Sequence, residues 1–319
     1  MNPILLAGLI ALAVSYALTP VVRALASRWG VVAHPGGRRV HARPTPSMGG
    51  LAMFVGFMVA VGVAIAIHPK LGLDDQTQGI LIGCVLVAFV GVLDDRFELP
   101  GWAQAATILA GGVVLVAYGV EIRYITNPFK GGHLMPLGAL SVPVTLLWVL
   151  MVTKAVDCMD GLDGLAAGIS AIAACTLMLM AIDAGPRFLM SAVMAAALMG
   201  AALGFLRFNY PPAKVFMGTI GAQFLGFALA GVSVAGAFKI ATLVAVAAPV
   251  LVLSVPLLDT TFVVLKRAVN GRKIHEADTS HLHHRLIDKG LSHRQTIWII
   301  YALTIVSCAA AYVLFSLVK

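Results

Sequence analysis

The sequence predicts an all-α protein that crosses a membrane about ten times, and two observations support this: its composition and the lengths of its apolar runs. Of 319 residues, 60% are hydrophobic and only 11% are charged, with a mean hydropathy of +0.95. Soluble domains are roughly 45 to 50% apolar and about 25% charged. This chain therefore has too few polar residues to cover a water-soluble body, and it is equally unlike a disordered or disulfide-rich chain.

The apolar runs have the length of membrane-spanning helices. Such a helix needs roughly 17 to 25 mainly apolar residues, because the hydrocarbon core is about 30 Å thick. The first run lacks a basic leading segment and a small-residue cleavage site, so we expect a retained helix and not a signal peptide. With no soluble domain visible, residues 1–319 are interpreted as one integral membrane domain. Ten runs meet or nearly meet the length: 3–22, 48–67, 77–93, 102–120, 140–156, 164–182, 188–206, 220–237, 240–264 and 295–317.

The basic residues predict the orientation of these helices. Of 22 lysines and arginines, only Lys70, Arg123, Lys130, Arg187, Lys239 and Lys319 fall in one of the two alternating sets of loops and termini. By the positive-inside rule the other set faces the cytoplasm, and both termini lie outside. This asymmetry explains the net charge of +8, so no nucleic-acid partner is expected. The four scattered cysteines are interpreted as small buried hydrophobic residues.

Most acidic residues and five of the nine histidines also fall at the predicted cytoplasmic ends, and three motifs there combine several of them. The first motif is Asp94-Asp95, directly after the third apolar run. Ionisable groups so close to lipid are candidates for function. On a helix these neighbours point about 100° apart, so one could bind a divalent cation while the other accepts a proton. The alternative is a pair of solvated loop acids beside Arg96.

The second motif, residues 154–168, combines Lys154 with three carboxylates at three-residue intervals, Asp157, Asp160 and Asp163. On a helical turn this spacing aligns the carboxylates on one side, where they repel one another unless a cation or another donor compensates them. Gly161 and Gly164 permit a break in the helix. The alternative is a turn in which the acids serve as helix caps.

The third motif, residues 281–285, places His281, His283 and His284 beside Arg285. His281 and His284 would share a helical face, and Arg285 supplies a permanent positive charge suited to phosphate. A zinc site is the rival interpretation. A fourth, basic segment that includes Arg43 either fixes orientation or holds an anionic head group. Phosphate-binding cations beside carboxylates suit phosphoryl transfer at a membrane surface.

Five motifs carry a resemblance to a known family. RPTPSMGG, LDDRFELP, DGLDGLAAG, GFLRFNYPPAKVFMG and HLHHRL occur in that order along the chain. The sequence thereby resembles the bacterial polyprenyl-phosphate N-acetylhexosamine-1-phosphate transferases, over nearly its whole length. The resemblance implies that polyprenyl phosphate attacks the β-phosphorus of a UDP-N-acetylhexosamine, N-acetylglucosamine in particular, and that UMP is released. It also implies Mg²⁺, with Mn²⁺ as a substitute, a multi-pass protein of the bacterial inner membrane, a cytoplasmic active site and a homodimer.

The same resemblance implies roles for individual residues. Asp94 and Asp95 would bind metal and lipid phosphate, with one of them taking a proton, while Asp160 and Asp163 would support binding of the nucleotide and sugar. The third motif, His281, His283, His284 and Arg285, would hold the diphosphate, and His281 is also a candidate catalytic residue. Apart from the resemblance, Arg43, Lys154, Asp157 and Lys214 are predicted to bind substrate.

The sequence departs from the family pattern at the expected metal site. Lys154-Ala155-Val156-Asp157 stands where the family usually has Asn-Ala-x-Asn, and Thr219 stands where it usually has a magnesium-binding Asp. Either Asp157 supplies the missing carboxylate in an active enzyme, or the protein is a catalytically degenerate homologue that acts as a binding partner. A transporter would place its ionisable residues near the bilayer midplane. A CDP-alcohol phosphatidyltransferase would need Ala-Arg after Asp160-Gly161, which this chain lacks.

Overall fold

The computed structural model describes residues 2–33, 44–126, 134–236, 250–269 and 281–318, which are mainly helical. Two short antiparallel pairs of strands accompany the helices: β1 (Val32–Ala33) with β2 (Thr45–Pro46), and β3 (Tyr124–Thr126) with β4 (Leu134–Pro136). In these ranges the helices are α1 (Pro3–Arg28), α2 (Gly50–Ile67), α3 (Asp75–Phe97), α4 (Gly101–Ala117), α5 (Ser141–Met159), α6 (Leu165–Ala184), α7 (Leu189–Asn209), α8 (Gly218–Gly236), α9 (Ser254–Val269), α10 (Leu282–Asp288) and α11 (His293–Val318).

The prediction of an all-α polytopic membrane protein is confirmed. Within the described ranges, eight helices are long and apolar enough to cross a membrane, while α4 is apolar but shorter. The predicted span 240–264 lies partly outside the described residues, and α9 covers its second half. Several helices continue past the apolar run that predicts them. In particular, α3 extends to Phe97 and therefore contains the first acidic motif.

Helix α8 forms the centre of the bundle, with its spanning window 89% buried and with α2, α3, α5 and α6 packed around it. Small residues make this close packing feasible. A Cβ at Gly226 would lie 2.6 Å from the Cα of Thr153 on α5, and one at Gly91 on α3 would lie 2.5 Å from the Cα of Ile220. The start of α8 is thereby fixed beside the ends of α3 and α5.

Backbone hydrogen bonds join the helix ends on this side of the bundle. The N–H groups of Gly49 and Gly50, at the start of α2, donate to the carbonyls of Phe216 and Met217 at 2.8 Å each. Phe216 N–H donates back to Pro46 O at 2.9 Å. The ends that carry the sequence motifs therefore lie together, as the sequence predicts.

Candidate active site

Asp95 caps the start of α8. Its Oδ1 accepts a hydrogen bond from the backbone N–H of Thr219 at 2.7 Å, and its Oδ2 one from Ile220 at 3.4 Å. A carboxylate is stabilised at a helix N-terminus by the unpaired N–H groups and the helix dipole. Gly218, with φ +71°, allows the approach, because a Cβ there would overlap the Asp95 carboxylate.

Asp94 points to a different partner, as expected for neighbours on a helix. It is buried, and its Oδ1 accepts from Gln104 Nε2 on α4 at 2.9 Å. The Oε1 of the same glutamine accepts from Lys154 Nζ at 2.6 Å, and Gln223 Nε2 on α8 lies 3.2 Å from it. The alternative in which Asp94 and Asp95 are solvated loop acids beside Arg96 is wrong: Arg96 donates to Trp29 O at 2.6 Å.

Lys154 and Asp157 form an ion pair on successive turns of α5. The distance from Lys154 Nζ to Asp157 Oδ2 is 2.9 Å, and both side chains are partly exposed, at 29% and 24%. The lysine therefore joins two carboxylates, Asp157 directly and Asp94 through Gln104. Gln104 and Gln223 were not predicted as site residues, since their only signal in the sequence is a polar amide in an apolar helix.

The glycine-rich turn breaks the helix, as predicted, but it does not align its three carboxylates on one helical face. Helix α5 ends at Met159, so of the three only Asp157 is helical. Asp163 Oδ2 accepts from Ala213 N–H at 2.8 Å, which ties the turn to the segment before α8. Gly164 has φ +78°, and its N–H donates to the buried Asn209 Oδ1 at 2.8 Å.

Asp160 lies next to the other carboxylates. Desolvation holds the pKa of Asp160 well above its usual value, and the charges of Asp157, Asp95 and Asp163 raise it further. We use the name acidic cluster for Asp94, Asp95, Asp157 and Asp160. Like charges this close favour a protonated carboxyl unless a cation compensates them.

The histidines form a stacked group beside this cluster. His281 precedes α10 and is not part of it, so the predicted shared helical face of His281 and His284 is wrong. The rings of His281 and His283 are stacked at 5.8 Å, and those of His283 and His284 are 4.3 Å apart. A Cβ at Gly161 would lie 2.5 Å from His283 Nε2, so the ring faces the glycine-rich turn.

His283 is almost completely buried, and within the described ranges neither ring nitrogen has a hydrogen-bond partner. Burial lowers the pKa of His283 to about 3, with smaller contributions from His284 and His281. A neutral imidazole with two unused nitrogens is suited to a polar ligand.

Asp259 on α9 belongs to the site but was not predicted as a site residue. Its Oδ2 lies 2.7 Å from His281 Nδ1, and its Oδ1 accepts from Leu282 N–H at 2.6 Å. The carboxylate thereby fixes the ring of His281 and leaves its Nε2 as the nitrogen directed elsewhere. An isolated acid in an apolar run is the signal that could have found it.

Three further residues, Arg285, Lys214 and Arg43, are predicted to bind substrate. Arg285 is exposed, and its guanidinium lies over the ring of Phe262 at 5.1 Å. Lys214 is exposed in the segment before α8, where its N–H donates to Phe208 O at 2.8 Å. Arg43 lies outside the described residues. Their contacts with phosphate stay predictions.

The donor set does not fit a divalent metal. In the part of the chain that the structure describes, no three His, Cys, Asp or Glu side chains converge as metal ligands, whether for magnesium or for zinc. Asp95 already accepts two backbone N–H groups and Asp157 is paired with an ammonium. Thr219 offers a neutral hydroxyl where a hard cation prefers a carboxylate.

Known sequences similar to this one lead to its family. The sequence model described as Glycosyl transferase family 4 matches residues 77–237. A probable undecaprenyl-phosphate N-acetylglucosaminyl 1-phosphate transferase of Bacillus subtilis is 35% identical, over 98% of this chain and 85% of its own length. The chain belongs to glycosyl transferase family 4. The predicted resemblance is therefore confirmed.

Other relatives in this family extend the likeness. A decaprenyl-phosphate N-acetylglucosaminephosphotransferase of Mycobacterium tuberculosis is 36% identical, over 93% of this chain and 78% of its own length. An undecaprenyl-phosphate alpha-N-acetylglucosaminyl 1-phosphate transferase of Escherichia coli is 25% identical, over 87% and 75%. These relatives are named as transferases that act on polyprenyl phosphates, which supports an enzyme that transfers a glycosyl phosphate.

Proposed function

We propose that this protein transfers N-acetylglucosamine-1-phosphate from UDP-N-acetylglucosamine to a polyprenyl phosphate. The observation that carries the proposal is the meeting of three polar motifs, from α3, α5 and α10, at one end of an otherwise apolar bundle. A site at the end of a membrane bundle can receive a lipid phosphate from the bilayer and a nucleotide sugar from water. The relatives named for the same transfer support it.

The reaction exchanges one phosphoanhydride for another. An oxygen of the polyprenyl phosphate forms a bond to the β-phosphorus of the UDP-sugar, and the bond from that phosphorus to the bridging oxygen breaks. The bridging oxygen leaves with UMP, and the sugar remains on the lipid as a polyprenyl diphosphate. Positioning and neutralisation of charge are the main requirements of such a transfer.

The residues of the site can divide this work. Asp94 or Asp95 takes the proton of a protonated lipid phosphate, while Lys154, close to the acidic cluster, donates to phosphate oxygens. His281, His283, His284 and Arg285 hold the diphosphate on the other side of Gly161. Asp160 and Asp163 shape the turn on which nucleotide and sugar lie.

The positive-inside pattern supports a cytoplasmic site in a bacterial inner membrane, because the site lies at the ends of the helices with the most basic loops. The resulting lipid-linked sugar would start synthesis of a cell-envelope glycan. A homodimer stays a prediction. The sequence predicts Mg²⁺ or Mn²⁺, but the donor set of the described residues does not fit a divalent metal, so the transfer is proposed without one.

The test is release of UMP by the purified, detergent-solubilised protein given UDP-N-acetylglucosamine and undecaprenyl phosphate. Asp94→Asn keeps the shape of the side chain but removes its charge, and we expect a loss of about 100-fold or more. Asp288→Asn, an exposed acid at the end of α10, is the matched control and should retain activity. Equal loss in both variants would contradict the assignment.

A degenerate homologue that only binds its ligands is the second candidate, favoured by Lys154 and Thr219 at the expected metal site. It predicts saturable binding of UDP-N-acetylglucosamine without UMP, with or without added Mg²⁺. Any release of UMP that Asp94→Asn abolishes would exclude it. A transporter is less compatible with the position of the described acids at helix ends.

A further inference from the structure

Lys154 is held at the acidic cluster by two polar side chains. Its Nζ donates to Gln104 Oε1 at 2.6 Å and to Asp157 Oδ2 at 2.9 Å. Gln104 also binds Asp94, because its Nε2 donates to Asp94 Oδ1 at 2.9 Å. One ammonium is thus held by a carboxylate on its own helix and by an amide that also binds a second carboxylate.

The position is one where a cation is needed. The buried Asp94 and the helix-capping Asp95 are neighbours on α3, and Asp94 is joined through Gln104 to the Lys154–Asp157 pair on α5. The ion pair of Lys154 with Asp157 lies at this cluster. Like charges grouped in this way disfavour ionisation, and a positive charge among them favours it.

Thr219 stands where the family usually has a metal-binding Asp, so this chain has one carboxylate fewer beside the acidic cluster. Thr219 is held close to the cluster, because its own N–H binds Asp95 at 2.7 Å, yet its side chain carries no charge. A divalent cation would find one carboxylate fewer and would meet the ammonium of Lys154. Lysine and a metal ion are therefore alternative solutions to one electrostatic requirement.

We propose that the ammonium of Lys154 is the resident cation of the acidic cluster and takes the place of a divalent metal there. An ammonium has three N–H donors, and two of them are used by Gln104 and Asp157. The third can donate to a phosphate oxygen, and 29% of the side chain is exposed for this contact. The proposal that phosphate is the ligand rests on the proposed function. The proposal that Lys154 replaces a metal at the cluster does not rest on it.

The first experiment is a titration of the purified full-length protein with MnCl₂, followed by the electron paramagnetic resonance signal of free Mn²⁺. We expect the wild-type protein to leave this signal unchanged across the millimolar range. The double variant Lys154→Asn/Thr219→Asp removes the ammonium, adds a carboxylate, and should bind one Mn²⁺. Lys154→Asn/Thr219→Asn is the matched control without the carboxylate and should not bind.

The opposite result in the wild-type protein would overturn the proposal: one bound Mn²⁺ that Asp94→Asn or Asp157→Asn releases. The wild-type titration does not depend on the double variant. If the double variant misfolds, the wild-type result still decides whether a divalent cation binds at the cluster. The matched control separates gain of a carboxylate from loss of the lysine.

The second experiment measures pyrophosphate binding by calorimetry with EDTA present. The wild-type protein should bind, Lys154→Arg should retain binding, and Lys154→Gln should bind about tenfold more weakly, because a charge-assisted hydrogen bond is lost. Equal affinity in wild type and Lys154→Gln would contradict the phosphate contact. If no nucleotide sugar yields UMP, the proposed function fails, but the Mn²⁺ titration still decides whether Lys154 occupies the place of the metal.

Discussion

The charged residues at the two ends of the helical bundle differ in how far along the sequence their partners lie. At the end opposite the candidate site, Glu121 accepts from Arg123 at 2.7 Å and from Ser141 at 2.8 Å, and Asp74 caps α3 through Thr77 N–H at 2.8 Å. These partners are 2, 20 and 3 residues away in sequence. Local contacts of this kind end helices and order loops.

At the site end, some partners are local, such as Lys154 with Asp157, but others come from distant helices. Asp95 binds a backbone N–H 124 residues away, and Lys154 binds an amide 50 residues away. His283 is buried without a partner in the described chain. A buried polar group without a partner costs stability, and proteins tolerate that cost mainly at functional sites, so the difference points to this end as the place of the chemistry.

The largest expected effect comes from moving Asp95. Gly218→Ala would place a methyl group where the carboxylate lies, at a backbone φ of +71°. We expect UMP release to fall by about 100-fold, as for other small displacements of a positioned group. Gly290→Ala is the matched control, because Gly290 has φ +89° and a Cβ added there would meet no atom within 4 Å. A similar loss in both variants would attribute the effect to backbone strain alone.

His283 at the site end should make the free energy of unfolding depend on pH. Its pKa is about 3 in the folded protein and about 6.5 in an unfolded chain, so only the unfolded state takes up a proton on mild acidification. Between about pH 7.5 and about pH 5 this should lower the free energy of unfolding by about 2 kcal/mol. His283→Phe keeps an aromatic ring but cannot be protonated, and it should reduce that pH dependence in thermal unfolding.

The same variant separates stability from function. Because His283 makes no hydrogen bond to the described protein, His283→Phe should fold at neutral pH at least as well as wild type. If the ring binds diphosphate, UMP release should still fall by about tenfold, the equivalent of about 1.4 kcal/mol. Retained activity would show that the histidine is only a packing residue, which would weaken the contrast between the two ends.

The fold was largely predictable from the sequence, because the length of an apolar run indicates a membrane-spanning helix. The position of Asp94, Asp95 and Asp157 at helix ends was also predictable, since charge next to lipid is costly; their role in a site stays a prediction. What could not be predicted is their pairing. Gln104 and Gln223 are neutral and lie in apolar helices, and their contact spans 119 residues.

Two local predictions were wrong for a related reason. Three-residue spacing suggested one helical face for Asp157, Asp160 and Asp163, yet α5 ends at Met159 and Gly164 adopts a positive φ. The histidine motif suggested a helix from His281, yet this residue binds Asp259 and precedes the helix. Tertiary contacts lie at both places, Gly164 N–H with Asn209 after α5 and His281 with Asp259 before α10, and periodicity alone does not contain them.

The smallest expected effect lies at the opposite end. Glu121→Gln removes the charge that pairs with the exposed Arg123, and exposed ion pairs contribute about 0 to 1 kcal/mol. We therefore expect a shift in thermal unfolding close to the error of the measurement and unchanged UMP release. Since Gln can still accept from Ser141 Oγ, the loop keeps its local hydrogen bond. A tenfold loss of activity here would mean that charges at this end also act on the reaction, and local pairing could then no longer serve to tell structural from functional residues in this bundle.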